Sequence, residues 1–521
     1  MCDTSFRKSP CASFCEHGAE LAPGSLVHIL ADERQTAASR AATPWDGGGE
    51  FLRGIISYGA YVPYHRLDRK AIAETLGSGG GRGFRSVANY DEDTTSMGVE
   101  AGRAALASLP GGVHPGSLYF ATADPAYLDK TNATAIHAAL ALDPSVFAAD
   151  MSGSVRSGAG AFKAALDARQ PAIAVLSDIR TGLPGSGDEA NGGDGAVAFV
   201  CGEGDNVIAE YLGGASATAE FLDRWRIPGQ QASQQWEERF GEYVYVPLAR
   251  QALAEGLKAT ETTAEHIDCL IVASVSARAA RTVVASAGVR KEAIADDLSA
   301  TVGNPGTAQL GLMLADALDR AGPNQLIAVL LLADGSDLLL FRTTEAIANY
   351  QRTSTVADQI GSSRPVSYAS FLTWRSFLVR EGPRRPDPDR PGAPNSFRAE
   401  DWKFGFSASR CKACGFRHLP PARVCVKCHS VDNMSHERIA DLKATIATYT
   451  VDRLAFSPAP PLVAAVIDFD GGGRFNAEMT DVDPAKIGIG DKVEMTFRRL
   501  YTAQNIHNYF WKARPVRRAN S

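Results

Sequence analysis

The sequence predicts an α/β chain: a large layered body with an internal duplication, then a metal ribbon, then a small β barrel. Three observations predict it. Residues 51–348 carry two successive runs of alternating strand-like and helix-like segments, each closing on a pair of strand-like runs. Two Cys-x-x-Cys knuckles follow at Cys411-Lys-Ala-Cys414 and Cys425-Val-Lys-Cys428. Five short runs of alternating character then fill most of 438–515.

Composition sets the frame. A chain of 521 residues holds about three to four units of ~150 residues each. Its 45% hydrophobic and 21% charged content is that of a globular protein with ample core. The net charge of −6 gives no general attraction to nucleic acid or anionic membranes. No apolar run reaches the ~18 residues that a membrane helix needs, and Met1-Cys-Asp-Thr-Ser-Phe-Arg-Lys lacks the apolar core of a secretory signal. Nine cysteines, four of them in the knuckles, read as reduced thiols. The expectation is a soluble, cytoplasmic protein.

Residues 1–50 show no hydrophobic period and carry Pro10, Pro23, Pro44 and a glycine triplet at 47–49. They read as a disordered leader, with Cys2, Cys11 and Cys15 incidental. Order begins at the strand Gly54-Ile-Ile-Ser-Tyr-Gly-Ala-Tyr-Val-Pro63. A helix pattern from Arg69 to Leu76 leads into Gly77-Ser-Gly-Gly-Gly-Arg-Gly83. That loop can cradle a phosphate but lacks the lysine and Ser/Thr of a nucleotide P-loop, so it reads first as a flexible connection. Asp93-Thr-Thr-Ser96 can cap an Ala-rich helix from Met97 to Leu109, stopped by Pro110. Strands at 117–122, 146–149 and 172–176 alternate with helices near 131–140 and 155–169, and Gly192-Gly-Asp-Gly turns into a buried strand ending at Val200. The order recurs: helices near 235–240 and 245–257, a strand at 269–273, helices near 277–287 and 307–320, then strands at 326–332 and 337–342.

From 349 to 395 the chain turns polar, with Arg384-Arg-Pro-Asp-Pro-Asp-Arg-Pro391, and reads as a linker that wraps rather than packs. Trp374 and Phe377 are expected to be its docking anchors. The ribbon occupies 396–437. Its four thiolates, on two tight turns aided by Gly415, Pro420 and Pro421, can close a tetrahedral structural Zn²⁺ site; an iron–sulfur cluster is the rival occupant. The strands expected at 444–451, 462–468, 474–480, 492–499 and 508–513 fit an OB-type barrel over 438–515.

The large block resembles the thiolase superfamily, and within it the hydroxymethylglutaryl-CoA (HMG-CoA) synthase branch. The residues that carry the resemblance are Gly54–Pro63, Asp178-Ile-Arg-Thr-Gly-Leu183, Gly192-Gly-Asp-Gly-Ala-Val197, Phe221-Leu-Asp-Arg-Trp-Arg226, Trp236-Glu-Glu-Arg-Phe-Gly241 and Val302-Gly-Asn-Pro-Gly-Thr-Ala308. Ribbon and barrel resemble the small zinc-ribbon/OB-fold protein that accompanies thiolases and HMG-CoA synthases in some prokaryotes. There it bridges the two enzymes and helps form a shared coenzyme A channel; here it is fused to the synthase-like block. The resemblance implies a duplicated thiolase-like layered fold, CoA or acyl-CoA as ligand, self-association, and a separate thiolase-like partner.

It also implies a chemistry that this chain has largely lost. Claisen condensation in the family uses a cysteine thiolate at a helix N-terminus, a histidine and an asparagine for the thioester oxygen, and a glutamate as acid/base. Matched by local context, the cysteine position holds Val155, the histidine position Ala273 and the glutamate position Ala123, with Asp124 beside it. Only the asparagine remains, as Asn304. Cys201 and Cys269 sit at strand ends and read as core residues, and Ser154 and Ser157 read as turn or cap residues. Two readings follow. One is a cysteine-independent, aldolase-like enzyme, similar to thiolase-like proteins that cleave steroid side chains as CoA thioesters with a zinc-ribbon/OB partner. Asn304 would then serve the oxyanion, with Asp124, Tyr127, Tyr243 or Tyr245 as acid/base. The other is a non-catalytic scaffold that docks a separate thiolase. A conventional HMG-CoA or 3-oxoacyl synthase demands a thiol that Val155 does not supply. His65, His137, His418 and His429 show no ligand spacing. Arg498, Arg499, Lys512, Arg514, Arg517 and Arg518 either meet CoA phosphates or form a solvated face.

Overall fold

The computed structural model describes residues 52–517, apart from 385 and 387; the leader, Cys2, Cys11, Cys15 and Arg518 lie outside the described residues. Among the described residues no helix is long and apolar enough to cross a membrane.

The α/β body is built on one sheet. Its first half supplies β1 (Arg53–Tyr61), β4 (Ser117–Thr122), β5 (Phe147–Ser152), β6 (Ala172–Ile179) and β7 (Asp194–Glu203), after a small side sheet of β2 (His65–Asp68) and β3 (Phe84–Val87). β8 (Ala209–Ala217) follows, then the short hairpin strands β9 (Arg224–Trp225) and β10 (Gln234–Gln235). The second half adds β11 (Cys269–Ser274), β12 (Leu326–Leu332) and β13 (Ser336–Thr343). The order β11-β12-β13-β8-β1-β7-β6-β4-β5 joins both halves in nine strands. The expected closing pairs, β6 with β7 and β12 with β13, are antiparallel neighbours. β8 escapes a reading of the sequence because Gly213 and Gly214 interrupt its alternation. It carries the join, pairing with β13 along its length and with β1 at Gly54 and Ile55.

Helices cover the sheet. α1 (Lys70–Leu76) is short, and α2 (Thr94–Ala107) starts three residues before the expected Met97, capped as expected from Asp93: Asp93 Oδ1 accepts from Ser96 N at 2.8 Å, while Ser96 Oγ accepts from Asp93 N at 2.8 Å. After α3 (Ala133–Ala139), α4 (Ser157–Leu166) enters the centre of the body. α5 (Gly187–Asn191) is one turn. α6 (Glu238–Ala259) runs unbroken through Pro247 where two helices are expected. A proline removes one N–H, and Tyr245, Val246, Ala249 and Leu253 bury the same face on both sides of it. α7 (Ala277–Ser286) precedes α8 (Gln309–Arg320). α4 meets the turn into α8 so closely that a Cβ on Gly158 would lie 2.5 Å from the Thr307 carbonyl oxygen, so only glycine fits.

The segment 349–395 packs, which corrects the expectation of a wrapping strap. It forms α9 (Val356–Gly361), β14 (Arg364–Pro365), α10 (Tyr368–Trp374) and the start of α11 (Ala393–Arg398). Val356 and Phe371 are fully buried. The Gln359 amide accepts from Val62 N at 2.8 Å and donates to Ala60 O at 2.9 Å, completing the end of β1. Its polar residues satisfy buried backbone and charge, which composition does not reveal. Trp374 acts as an anchor, donating from Nε1 to Pro458 O at 3.1 Å and stacking edgewise on His65.

α12 (Glu400–Lys403) leads to the ribbon strands β15 (Ser407–Cys411), β16 (Arg417–His418) and β17 (Met434–Arg438). The barrel then closes through β18 (Ala444–Asp452), β19 (Leu462–Phe469), β20 (Arg474–Met479), β21 (Lys492–Ala503) and β22 (Ile506–Pro515), in the order β18-β19-β20-β22-β21. All five expected strands are present. Alternation is visible as burial along β19, where every second residue from Val463 to Phe469 is buried.

Among the C-terminal basic residues, Arg498, Lys512 and Arg514 are buried against carboxylates of both body and barrel rather than set out for phosphates. Arg498, 1% exposed, pairs with Glu92 and with Asp481 at 2.6 Å and donates to Tyr61 Oη at 3.1 Å. Lys512 pairs with Asp91 at 3.0 Å and Glu478 at 2.6 Å, and Arg514 with Glu100 at 2.8 Å. Tyr509 Oη donates at 2.6 Å to Asp93, the same carboxylate that caps α2. Removing one partner from a buried charge cluster leaves the others unpaired, at a cost of about 3–5 kcal/mol. Arg498→Met is therefore expected to lower the stability of the full chain by that amount. Urea unfolding followed by fluorescence checks it, and an unchanged midpoint would show that the cluster does not hold the barrel to the body.

Candidate functional site

The ribbon is built locally. Gly415, at φ +73°, donates its N–H to Cys411 O at 2.8 Å; His429, at φ +61°, donates to Cys425 O at 2.9 Å. Each left-handed residue folds its knuckle so that both sulfurs face inward. The four sulfurs of Cys411, Cys414, Cys425 and Cys428 lie within 4.8 Å of one another, with Cys411–Cys428 at 3.6 Å and Cys414–Cys425 at 3.5 Å. A tetrahedron with Zn–S bonds of ~2.3 Å has sulfur–sulfur edges of about 3.8 Å. The donor set fits zinc, and four protein ligands leave no open position for catalysis.

In the body, the turn before α4 opens on a central cavity of about 80 Å³. Val155, matched in the sequence to the cysteine position, is 7% exposed and on the cavity wall with Ala123 and Ser154. Ala273 is fully buried on β11. Among the described residues, the cavity wall carries neither cysteine nor histidine. Instead the cavity meets the guanidinium-bearing residues Arg180, Arg224 and Arg226, and Asp178 at the end of β6. Arg224 is held by Asp188, with one contact of 2.9 Å, and Arg226 by Asp124 at 3.1 Å and the Ala123 carbonyl. These two arginines lie on or beside the β9–β10 hairpin, which thus roofs the cavity.

Asp178 is the titratable group that a reading of the sequence leaves without a role. It is fully buried; Oδ2 accepts from Thr307 N at 3.0 Å and Thr307 Oγ1 at 2.9 Å, and Oδ1 from Ile179 N at 3.2 Å. Burial outweighs those bonds and pushes its carboxyl up to about 6. The signal was its position within the Asp178–Leu183 motif at a strand end, where α/β proteins carry functional groups.

The expected residues separate. Asn304 is not among the residues lining the central cavity: its Nδ2 donates to Ser274 O at 2.6 Å and its Oδ1 accepts from Gly306 N at 2.8 Å, bracing the turn into α8. Asp124 lines a second cavity of about 340 Å³, which shares Ile179, Thr181 and Arg226 with the first. Tyr245 lines the central cavity, its phenol raised by burial and accepting from Asp334 N at 3.4 Å. Tyr243 is on the surface. Tyr127 lines a third cavity, near the barrel. Cys201 is buried and its thiol is pushed up by burial; Cys269 is half-buried.

Fold and site together define a thiolase-like α/β body of the kind found in HMG-CoA synthases, carrying a zinc ribbon and an OB barrel on the same chain. Residues 406–433 match the family model of the ChsH2 rubredoxin-like zinc ribbon domain, and 437–498 that of the ChsH2 C-terminal OB-fold domain. The chain is 27% identical over 348 residues to the hydroxymethylglutaryl-CoA synthase of Picrophilus torridus, covering 63% of this chain and 98% of that protein. To the same enzyme of Methanopyrus kandleri it is 28% identical over 344 residues, covering 62% and 97%. A solved HMG-CoA synthase complexed with CoA shares the fold with a TM-score of 0.53 at 17% identity, over 62% of this chain and 90% of that one. PksG, an HMG-CoA synthase from Bacillus subtilis, does so with a TM-score of 0.53 at 18% identity, over 62% and 89%.

Zinc binding has a direct check. Metal analysis of the purified chain is expected to give about one zinc per chain, and Cys411→Ser to unfold the ribbon with loss of that metal. An iron absorbance band would instead assign the site to an iron–sulfur cluster.

Proposed function

We propose that this protein binds acyl-CoA thioesters and makes or breaks a carbon–carbon bond without an acyl-cysteine intermediate. The observation that carries the reading is Asp178, a buried carboxyl on the wall of the central cavity pushed up to about 6, with three arginines lining the same cavity. A carboxylate tuned toward neutrality is suited to general base work, and fixed guanidinium groups stabilise an enolate oxygen. In the cleavage direction, the base takes the proton of a β-hydroxyl and the Cα–Cβ bond breaks to leave a carbonyl. The electron pair passes to the thioester as an enolate, which regains a proton at Cα. No thiol enters.

A second reading, a scaffold that docks a separate thiolase and shapes a CoA channel, is favoured by one observation. The amide of Asn304 is engaged with backbone rather than set on the cavity wall. In either reading we propose that the body self-associates through the outer edge of β5, the end strand of the sheet, where Phe147 is exposed. A cytosolic setting suits four zinc-binding thiols.

Turnover of 3-hydroxyacyl-CoA thioesters by the isolated zinc-loaded chain tests the proposal. The base form of Asp178 populates as pH rises, so kcat/KM is expected to climb through about pH 6. Asp178→Asn is expected to lower kcat by roughly 10²-fold or more and to remove that acidic limb, while iodoacetamide leaves turnover intact. Inhibition by iodoacetamide in a chain that keeps its zinc would sink the thiol-free mechanism. Activity that arises only with an added thiolase, and disappears with that thiolase's cysteine, would establish the scaffold.

A further inference from the structure

The central cavity, at about 80 Å³, is small beside the ~300–1,000 Å³ of cavities that enclose drug-sized ligands. Space lies further out. The second cavity shares Arg226 with the first and His507 with a third, of about 740 Å³, between α3, the segment 390–404 and the barrel strand β22. That volume falls within the ~300–1,000 Å³ of cavities that enclose drug-sized ligands.

We infer that this third cavity houses the apolar acyl chain of the thioester, so that the substrate class is a long or bulky acyl-CoA rather than acetyl- or acetoacetyl-CoA. The inference rests on the acyl-CoA reading above and extends it to the acyl group. Its wall is chiefly apolar: Ala135 and Ala138 from α3, Pro394, Phe397 and Phe404 from the segment before the ribbon, and Ile506 from the barrel. Phe397 is 78% exposed, a ring that a bound chain would cover. One polar group is left over. Thr95 in the first turn of α2 is 1% exposed and lines the cavity, and its Oγ1 has no hydrogen-bond partner. A buried hydroxyl without a partner is costly, and an oxygen of the ligand supplies one. The occupant is therefore an apolar chain bearing a hydrogen-bonding atom. Lys130 and Lys403 also line this cavity, each donating to neutral oxygens: Lys130 Nζ to Thr134 Oγ1 at 3.0 Å and Lys403 Nζ to Ser396 Oγ at 3.0 Å.

Body, ribbon approach and barrel each contribute a wall, so the fusion itself makes the cavity. Calorimetric titration of the full zinc-loaded chain with acetyl-CoA, dodecanoyl-CoA and sodium dodecanoate tests the placement. Dodecanoyl-CoA is expected to bind at least tenfold more tightly than acetyl-CoA. Ala138→Trp, on the partly exposed face of α3, is expected to erase that gain while leaving acetyl-CoA binding and the melting temperature unchanged. Ala135→Trp on the same helix is an independent version should the first variant fail to fold. Equal affinities for the two thioesters, or a gain that survives both tryptophans, would overturn the placement and leave CoA binding standing. Dodecanoate binding that the tryptophans abolish, without any binding of acetyl-CoA, would keep the cavity and overturn the CoA reading. Absence of binding by both dodecanoyl-CoA and dodecanoate overturns the cavity.

Discussion

A guanidinium buried between two carboxylates fixes how the barrel of this molecule meets its body. Arg498 comes from the barrel and Glu92 from the turn before α2, while Asp481 lies in the barrel's own loop. Desolvating such charges is costly, and the cost is recovered only when every partner is in place. The cluster therefore tolerates a single seating of the barrel on the body. Around it, apolar packing runs without a break from Val99 and Ala101 on α2 to Trp511 and Phe497 in the barrel. Apolar contact supplies the attraction, and the charges supply the register.

That seating shapes what lies near the centre. Asp93 caps α2 and receives Tyr509 from the barrel, so the start of the helix carrying Thr95 is fixed from both sides. His507, on β22, lines two cavities, and its backbone N–H donates to Tyr127 Oη at 2.8 Å. A barrel on a separate chain can dissociate and take these walls with it. On one chain they are permanent.

Legibility in the sequence followed the range of the interaction. The knuckles were readable because a metal site on two turns is written within eighteen residues, 411 to 428. The barrel strands were readable because period-two burial is local, and the cap of α2 because its partners are three residues apart. The segment 349–395 misled because its buried groups are polar, such as Gln359 and Arg375, whose partners lie in the first half of the chain. The basic residues near the C-terminus misled for the same reason: the acids that neutralise them lie at 91–100 and 478–494.

The sequence alone determined the order of most elements and the four clustered cysteines of the ribbon, since each depends on residue identity and short spacing. Tertiary structure decided the rest. It gave Asn304 to the backbone, placed Asp178 rather than Asp124 on the central wall, buried the C-terminal cations and made a cavity from three separate segments. Burial and pairing across the chain set those outcomes. Desolvation raises a carboxyl or forces a cation to find an acid only where folding removes water, and no local pattern in the chain records where that happens.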